Sequence, residues 1–115
     1  MSTDRELRDF VSDIHQSISD IQDFISDMDF EVFKADRKTV NAVIRSLEII
    51  GEATKNVPMS VRHQYPSVPW KEIAGMRDKL IHNYFGVDLE IVWETIQSDL
   101  PGIEDALGDF FEQNT

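Results

Sequence analysis

One short stretch, residues 77–86, holds most of the side chains in this chain that could do chemistry. It reads RDKLIHNYFG and brings Arg77, His82 and Tyr84 into one segment that ends at Gly86. Histidine can take or give a proton near neutral pH, and the planar fork of arginine matches phosphate oxygens. Cleaving RNA without a metal needs a base for the 2′-hydroxyl, an acid for the leaving 5′-oxygen and positive charge at phosphorus. The stretch therefore predicts a ribonuclease centre, in which Tyr84 could stack on a base.

Helix geometry limits how these side chains could meet. At about 100° per residue, Arg77 and Tyr84 share a face, whereas Arg77 and His82 differ by about 140° on an ideal helix. Either the helix changes its winding near Gly86, or two copies of the stretch meet across a two-fold axis. We favour the second arrangement, because it would also supply separate histidines as acid and base.

A purely structural interpretation fits the same spacing. Arg77 could pair with Asp78, Glu72 or an acid of the following helix. His82 could bind a carbonyl at a helix end, and Tyr84 could belong to the core. Because arginine and histidine often occur at this spacing by chance, spacing alone leaves this interpretation open.

Apolar residues at steps of three and four predict helices that would position the stretch. The first helix is expected from about Asp4 to Asp27, followed by a connection over residues 28–36. Asp36 is a good N-cap for the second helix, which should end before Pro58 because the residue ahead of a proline leaves helical geometry.

Residues 58–69 hold three prolines and one or two predicted helical turns over residues 59–65. Pro69 suits the first position of a third helix, which should end near Gly86. Asp88 is the expected cap of a fourth helix, and Pro101 marks a break before a last short one. Residues 1–115 therefore predict one all-α domain, a bundle of four or five helices.

Composition excludes several classes of protein. The 115 residues suffice for a single core and include no cysteine, which rules out disulfides and thiolate metal sites. The N-terminus is polar and acidic, unlike a signal peptide, and no apolar run approaches the roughly 18 residues that span a membrane. We expect a soluble cytoplasmic protein.

Charge is unevenly distributed along the chain, whose net charge is -11. Residues 1–36 carry ten acids and three bases, residues 37–85 eight bases and four acids, and residues 86–115 eight acids and no lysine or arginine. The basic third contains the 77–86 stretch, and a local basic cleft can bind phosphate on an acidic body. Lys79, Lys71 and Arg62 are the weaker candidates for RNA backbone contacts. Charges that only solvate helix faces are an equal alternative.

Two acids on the second helix could suggest a metal site. Glu48 and Glu52 lie four residues apart and so face the same way. Metal sites in bundles usually add a Glu-x-x-His pair, which is missing here. We expect salt bridges with Arg45 or Lys55 instead, and neither a metal nor a cofactor.

The 77–86 stretch resembles the signature of HEPN-domain ribonuclease toxins, and specifically that of the HepT family. This signature is an arginine, a polar residue, a histidine after four to six intervening positions, and a tyrosine two beyond it. Arg77, Asp78, His82 and Tyr84 match each element, with four residues between arginine and histidine. The resemblance covers roughly residues 4–112 and includes the segments LEIIGEA (47–53), PWKEIAGMR (69–77) and VDLEIVW (87–93).

The resemblance implies an all-helical, HEPN-like homodimer with its active cleft at the dimer interface. It implies a metal-independent endoribonuclease, with tRNA among its targets, that is the toxin of a toxin–antitoxin pair. The antitoxin, MntA, is a small nucleotidyltransferase that silences such toxins by adding adenylyl groups to the motif tyrosine, here Tyr84. A phosphodiester beside Arg77 would occupy the phosphate site and repel RNA.

These roles make Arg77 the phosphate clamp and His82 the general base or acid. Asp78 would orient one of the two, and Asn83 is a further supporting candidate. A different class of function asks nothing of His82: a non-catalytic helical module that binds a nucleotide or works with a nucleotidyltransferase. A plain dimeric scaffold is a third possibility.

Overall fold

The apolar periodicity of the sequence becomes a set of helices in the structure, a computed structural model that describes residues 3–66, 68–75 and 88–113. Those residues contain no strand, so the all-α prediction is confirmed. Among the described residues, four longer helices form the bundle and three short ones lie between them. The helices are α1 Thr3–Phe24, α2 Phe30–Ala35, α3 Arg37–Lys55, α4 Met59–Gln64, α5 Trp70–Ala74, α6 Leu89–Ser98 and α7 Leu100–Gln113.

The core lies mainly between α1 and α3, the helix pair with the most extensive contact, and is completed by α7. Each helix contributes the apolar stripe that its sequence predicts, and these side chains are almost fully removed from solvent. Burying one such side chain stabilises the fold by about 1.5–3 kcal/mol relative to exposure. The stripe residues are Val11, Ile14, Ile18 and Ile21 of α1, Val43, Leu47 and Ile50 of α3, and Leu100, Ile103 and Leu107 of α7.

The connection predicted over residues 28–36 is wrong in part, because it contains the short helix α2. Asp29 caps this helix by accepting a 2.8 Å hydrogen bond from the backbone N–H of Val32. Phe33 is fully buried, and its ring centroid lies 5.1 Å from that of Trp93 on α6. A helix of six residues is too short for periodicity to reveal, and packing against α6 stabilises it.

The predicted caps at Asp36 and Asp88 are confirmed. Asp36 accepts a 3.1 Å hydrogen bond from the backbone N–H of Thr39 at the start of α3. Asp88 accepts from the first-turn N–H groups of α6, at 3.0 Å from Glu90 and 3.3 Å from Ile91. These side chains satisfy backbone donors that a helix start leaves without an intrahelical partner.

Three other predicted boundaries can be compared with the structure. The second predicted helix ends at Lys55, ahead of Pro58, and one short helix, α4, follows it as expected. The break before Pro101 is confirmed, since Asp99 separates α6 from α7. The first helix ends at Phe24, three residues earlier than predicted, and Asp27 in the turn has a φ of 65°. None of the described helices is long and apolar enough to cross a membrane.

Candidate functional site

The predicted catalytic residues, Arg77 and His82, lie outside the described residues. The same is true of Asp78, Lys79, Asn83 and Tyr84, so their predicted roles stay predictions. The structure describes the two ends between which this stretch runs. Gly75, the C-cap of α5, precedes the stretch, and Asp88, the N-cap of α6, follows it.

The helix that leads into the stretch, α5, is held in place by its first residue. The indole Nε1 of Trp70 donates a 2.9 Å hydrogen bond to the carbonyl oxygen of Tyr65, and both residues are buried. Ile73 of the same helix enters the core, where α5 packs against α3. The start of the predicted third helix is therefore held in place by its contacts with the core. Pro69 is the N-cap of α5 and not its first residue, so the helix begins at Trp70, one residue later than predicted.

The helix that follows the stretch is α6. Its Val92 and Ile96 are buried and anchor it to the core. Its Trp93 packs on two rings of α2, at centroid distances of 5.1 Å to Phe33 and 6.1 Å to Phe30. Aromatic pairs at such distances stabilise a contact by about 0.5–1.5 kcal/mol beyond area burial. The described helices on either side of the predicted catalytic stretch, α5 and α6, are therefore both packed against the body of the domain.

Arg62, a candidate for RNA contact, has a structural role in the described residues. Its Nε donates a 3.0 Å hydrogen bond to the carbonyl oxygen of Val57, and its Nη2 donates a 2.8 Å bond to that of Thr54. These bonds cap the C-terminal end of α3, where carbonyl groups lack intrahelical partners. The side chain is half-buried, and its contact with RNA stays a prediction.

Beside Arg62 is an open pocket between α4 and α5, with a volume of about 530 Å³. We call it the α4–α5 pocket and define it by Met59, Arg62, His63, Trp70 and Lys71, with Glu72 and residues of the connecting segment completing its lining. It brings together two of the predicted RNA contacts, Arg62 and Lys71. It also adds His63, which sequence reasoning missed, because no residue at helical spacing marked it and only the fold of α4 against α5 brings it near Lys71.

Two other pockets have the opposite charge balance. One, of about 250 Å³ between α1 and α3, is lined by Asp13, Glu52 and a single base, Arg45. The other, of about 440 Å³ between α2 and α6, is lined by Asp88, Glu90 and a single base, Lys34. In the α4–α5 pocket the bases Arg62 and Lys71 instead outnumber the one acid, Glu72. Of these three pockets it is the one whose charge suits a phosphate group.

Of the two acids on α3, Glu48 forms the expected salt bridge with Arg45. Nη1 of Arg45 lies 3.6 Å from Oε2 of Glu48, and the arginine is largely exposed. An exposed pair of this kind contributes only about 0–1 kcal/mol. Among the described residues, no group of three or more histidine, aspartate or glutamate side chains is placed to hold a metal ion.

Comparison with known proteins finds one family. The family model described as "Ribonuclease HepT-like" matches residues 14–109. The chain is 48% identical over 100 residues to a "Probable ribonuclease HepT" of Thermococcus cleftensis, covering 87% of this chain and 91% of that protein. It is 50% identical over 100 residues to a "Putative RNase" of Methanocaldococcus jannaschii, covering 87% and 86%. A "Putative RNase" of Caldanaerobacter subterraneus is 48% identical over 97 residues, covering 84% and 87%. No solved structure matches the chain.

Proposed function

Because this chain belongs to the HepT-like family of ribonucleases and is itself a ribonuclease, we propose that it is the toxin of a toxin–antitoxin pair. It would cut RNA, with tRNA as the expected target, in the cytoplasm and without a metal. The observation that carries this proposal is the position of the Arg-x4-His-x-Tyr motif. Residues 77–84 fall inside the matched range 14–109, in the segment that joins α5 to α6.

The proposed chemistry uses two side chains of the motif. His82 takes the proton from the 2′-hydroxyl, whose oxygen attacks phosphorus, or it gives a proton to the 5′-oxygen that leaves. Arg77 binds the phosphate oxygens and stabilises the charge that develops on them. Asp78 orients one of these side chains, and Asn83 supports them. In a homodimer with the cleft at its interface, the second copy of the motif supplies the other proton-transfer group.

Control of the activity is proposed to act at Tyr84. A nucleotidyltransferase antitoxin of the MntA type would transfer an adenylyl group from ATP to the Tyr84 hydroxyl, releasing pyrophosphate. The added phosphodiester would place negative charge beside Arg77 and exclude RNA. The acidic surface of residues 1–36 and 86–115 would then serve contacts with the antitoxin, which accounts for the net charge of an RNA-cutting protein.

The test is cleavage of purified tRNA in the presence of EDTA by the wild type, Arg77→Ala and His82→Ala. We expect both variants to lose cleavage and growth inhibition while remaining folded dimers. His15→Ala, which removes a histidine from α1 on another part of the fold, is the matched control and should cut at the wild-type rate. Wild-type cleavage by both motif variants would exclude this mechanism.

A second candidate function is a non-catalytic module that binds a nucleotide or presents a substrate to the nucleotidyltransferase. It is favoured by the net charge of -11, which is unusual for a protein that acts on RNA. The two are separated by incubating the protein with tRNA, alone and with the partner enzyme plus ATP. Stable nucleotide binding without any cleavage would support the module.

A further inference from the structure

We propose that the α4–α5 pocket is a subsite that holds an unpaired nucleotide of the substrate RNA, away from the bond that is cut. The inference rests on the proposed RNA-cleaving function and adds a place where the substrate strand is anchored. Three features of the pocket support it: its charge, its apolar lining and the short distance in sequence between Lys71 and the catalytic stretch.

Charge favours a phosphate at the rim of the pocket. Lys71 and His63 are exposed there, and Arg62 is half-buried beside them with two of its donors already bonded to α3. Glu72 is the one acid in the lining, whereas the pockets between α1 and α3 and between α2 and α6 each carry two acids and one base. On a chain with a net charge of -11, a polyanion would be attracted to such a local basic surface and repelled elsewhere.

The lining below this rim is apolar and partly aromatic. Trp70 and Val68 are buried in the pocket wall, and Met59 is 61% exposed at its edge. Exposed bases of single-stranded RNA stack on aromatic and apolar side chains, while their phosphates contact cations nearby. The volume of about 530 Å³ lies in the range of roughly 300–1,000 Å³ that ligand clefts occupy. An unpaired nucleotide suits this pocket, because its base can contact the apolar lining and its phosphate the basic rim.

The pocket is within reach of the motif along one strand. Lys71 precedes Arg77 by six residues, and six residues of chain span at most about 20 Å. At about 3.4 Å per stacked nucleotide, this distance corresponds to about six nucleotides or fewer. Because α5 is fixed by Trp70 and Ile73, a nucleotide bound in the pocket would set how the strand approaches the motif.

The experiment measures binding separately from cleavage. The probe is a fluorescein-labelled, unstructured 2′-O-methyl RNA dodecamer, which lacks the 2′-hydroxyl needed for cutting. Its Kd is measured by fluorescence anisotropy between roughly 50 and 200 mM salt. The full-length variants are Lys71→Glu at the rim, Met59→Glu at the apolar edge, and Lys38→Glu as the matched charge control. Lys38 is exposed in the first turn of α3, about 25 Å along that helix from the end that Arg62 caps.

We expect Lys71→Glu to raise the Kd roughly tenfold and to reduce the salt slope by about 1, as loss of one phosphate contact does. Met59→Glu should also weaken binding, whereas Lys38→Glu should change the Kd less than about twofold. Thermal unfolding verifies that all three variants fold. If Lys71→Glu and Lys38→Glu have equal effects, or if neither has any, the proposal is overturned.

Two further results separate this inference from the proposed function. If tRNA cleavage depends on His82 but probe binding does not depend on Lys71, the subsite is wrong and the proposed chemistry stands. If no RNA is cut but probe binding still depends on Lys71, the proposed chemistry is wrong and the subsite stands. If Lys71→Glu leaves RNA binding intact and instead prevents neutralisation by the nucleotidyltransferase, the pocket is a protein-docking surface and the subsite is overturned.

Discussion

The indole nitrogen of Trp70 donates a 2.9 Å hydrogen bond to the carbonyl oxygen of Tyr65, five residues earlier in the chain. This bond closes the proline-containing segment between α4 and α5 onto the first residue of α5. It therefore fixes both one wall of the α4–α5 pocket and the start of the segment that leads to Arg77.

Replacing Trp70 tests that bond directly. Trp70→Phe keeps an aromatic ring but removes one of the two hydrogen bonds that the carbonyl of Tyr65 accepts, the other coming from the backbone N–H of Val68 at 3.1 Å. We therefore expect the free energy of unfolding to fall by about 0.5–1.5 kcal/mol. Chemical denaturation followed by circular dichroism measures the change. Lys71→Ala, at the exposed neighbouring position, is the control and should stay within about 0.5 kcal/mol of the wild type. A Trp70→Phe protein as stable as the wild type would contradict the role of the bond.

Arg62→Lys separates a structural role of Arg62 from a role in RNA binding. The lysine keeps the charge but cannot reproduce the two donors to Val57 and Thr54. We expect the free energy of unfolding to fall by about 1–2 kcal/mol, because the carbonyls of Val57 and Thr54 lose their bonds to the guanidinium, although that of Thr54 keeps a backbone bond from the N–H of Val57. Affinity for RNA, measured on the folded variant, should change little. A stable variant with much weaker RNA binding would assign Arg62 mainly to the substrate.

The left-handed backbone of Asp27 predicts opposite effects of two substitutions. Asp27 has a φ of 65°, in the region that side chains with a Cβ adopt at a cost. Asp27→Gly should be neutral or stabilising by up to about 1 kcal/mol, since relief of strain is offset by the entropy of glycine in the unfolded chain. Asp27→Val should destabilise by about 1 kcal/mol or more, because β-branched residues resist this region. Equal stability of the two variants, measured by denaturant unfolding, would contradict a left-handed turn.

The capping carboxylate of Asp36 predicts a pH dependence. Hydrogen bonds from the backbone N–H and then the side chain of Thr39 hold the pKa of the Asp36 carboxyl below its ordinary value, against an opposing effect of desolvation and with a lesser contribution from Lys38. The unfolded state therefore takes up the proton first. The stability that this carboxylate provides is present above the unfolded pKa of about 3.9 and is lost as pH falls through the lower folded pKa.

Asp36→Asn isolates that contribution, because asparagine caps helices about as well as aspartate but has no charge. We expect the wild type to have the higher Tm at neutral pH, and the difference between the two proteins to shrink below about pH 4. Melting curves at a series of pH values measure this difference. A gap that stays constant down to about pH 2 would show that the Asp36 charge does not stabilise α3.

Mixed dimers test the proposal that two copies of the motif share one cleft. A dimer of one Arg77→Ala chain and one His82→Ala chain keeps one arginine and one histidine. We expect it to cut tRNA faster than either variant alone, because side chains from different protomers would meet across the interface. Co-expression with two affinity tags isolates the mixed species. If the mixed dimer is as inactive as both parents, one arginine and one histidine from different protomers do not form a working site.

Much of the architecture could be predicted from the sequence, because the signals are local. The stripe Val11, Ile14, Ile18 and Ile21 follows the helical period, and a stripe of this width must face a core. Asp36 and Asp88 precede helices as residues whose side chains can accept backbone N–H bonds, and both do so. The Arg-x4-His-x-Tyr motif is local as well, and together with the segments 47–53, 69–77 and 87–93 it indicated the family that the comparisons find.

The tertiary structure decided what depends on contacts between distant parts of the chain. Helix α2 forms although its sequence is too short for periodicity, since the ring of Phe33 packs on Trp93, sixty residues later. The sequence presents Arg62 as one more cation available to RNA, yet its bonds to Thr54 and Val57 use it to cap α3. The grouping of His63 with Lys71 likewise exists only once α4 and α5 pack together. The sequence by itself determined the longer helices, the caps at Asp36 and Asp88 and the family, because those signals lie within a few residues of one another. Only the tertiary structure decided which charged side chains stabilise the fold and which line a pocket. These roles depend on how the turns of the chain bring distant side chains together.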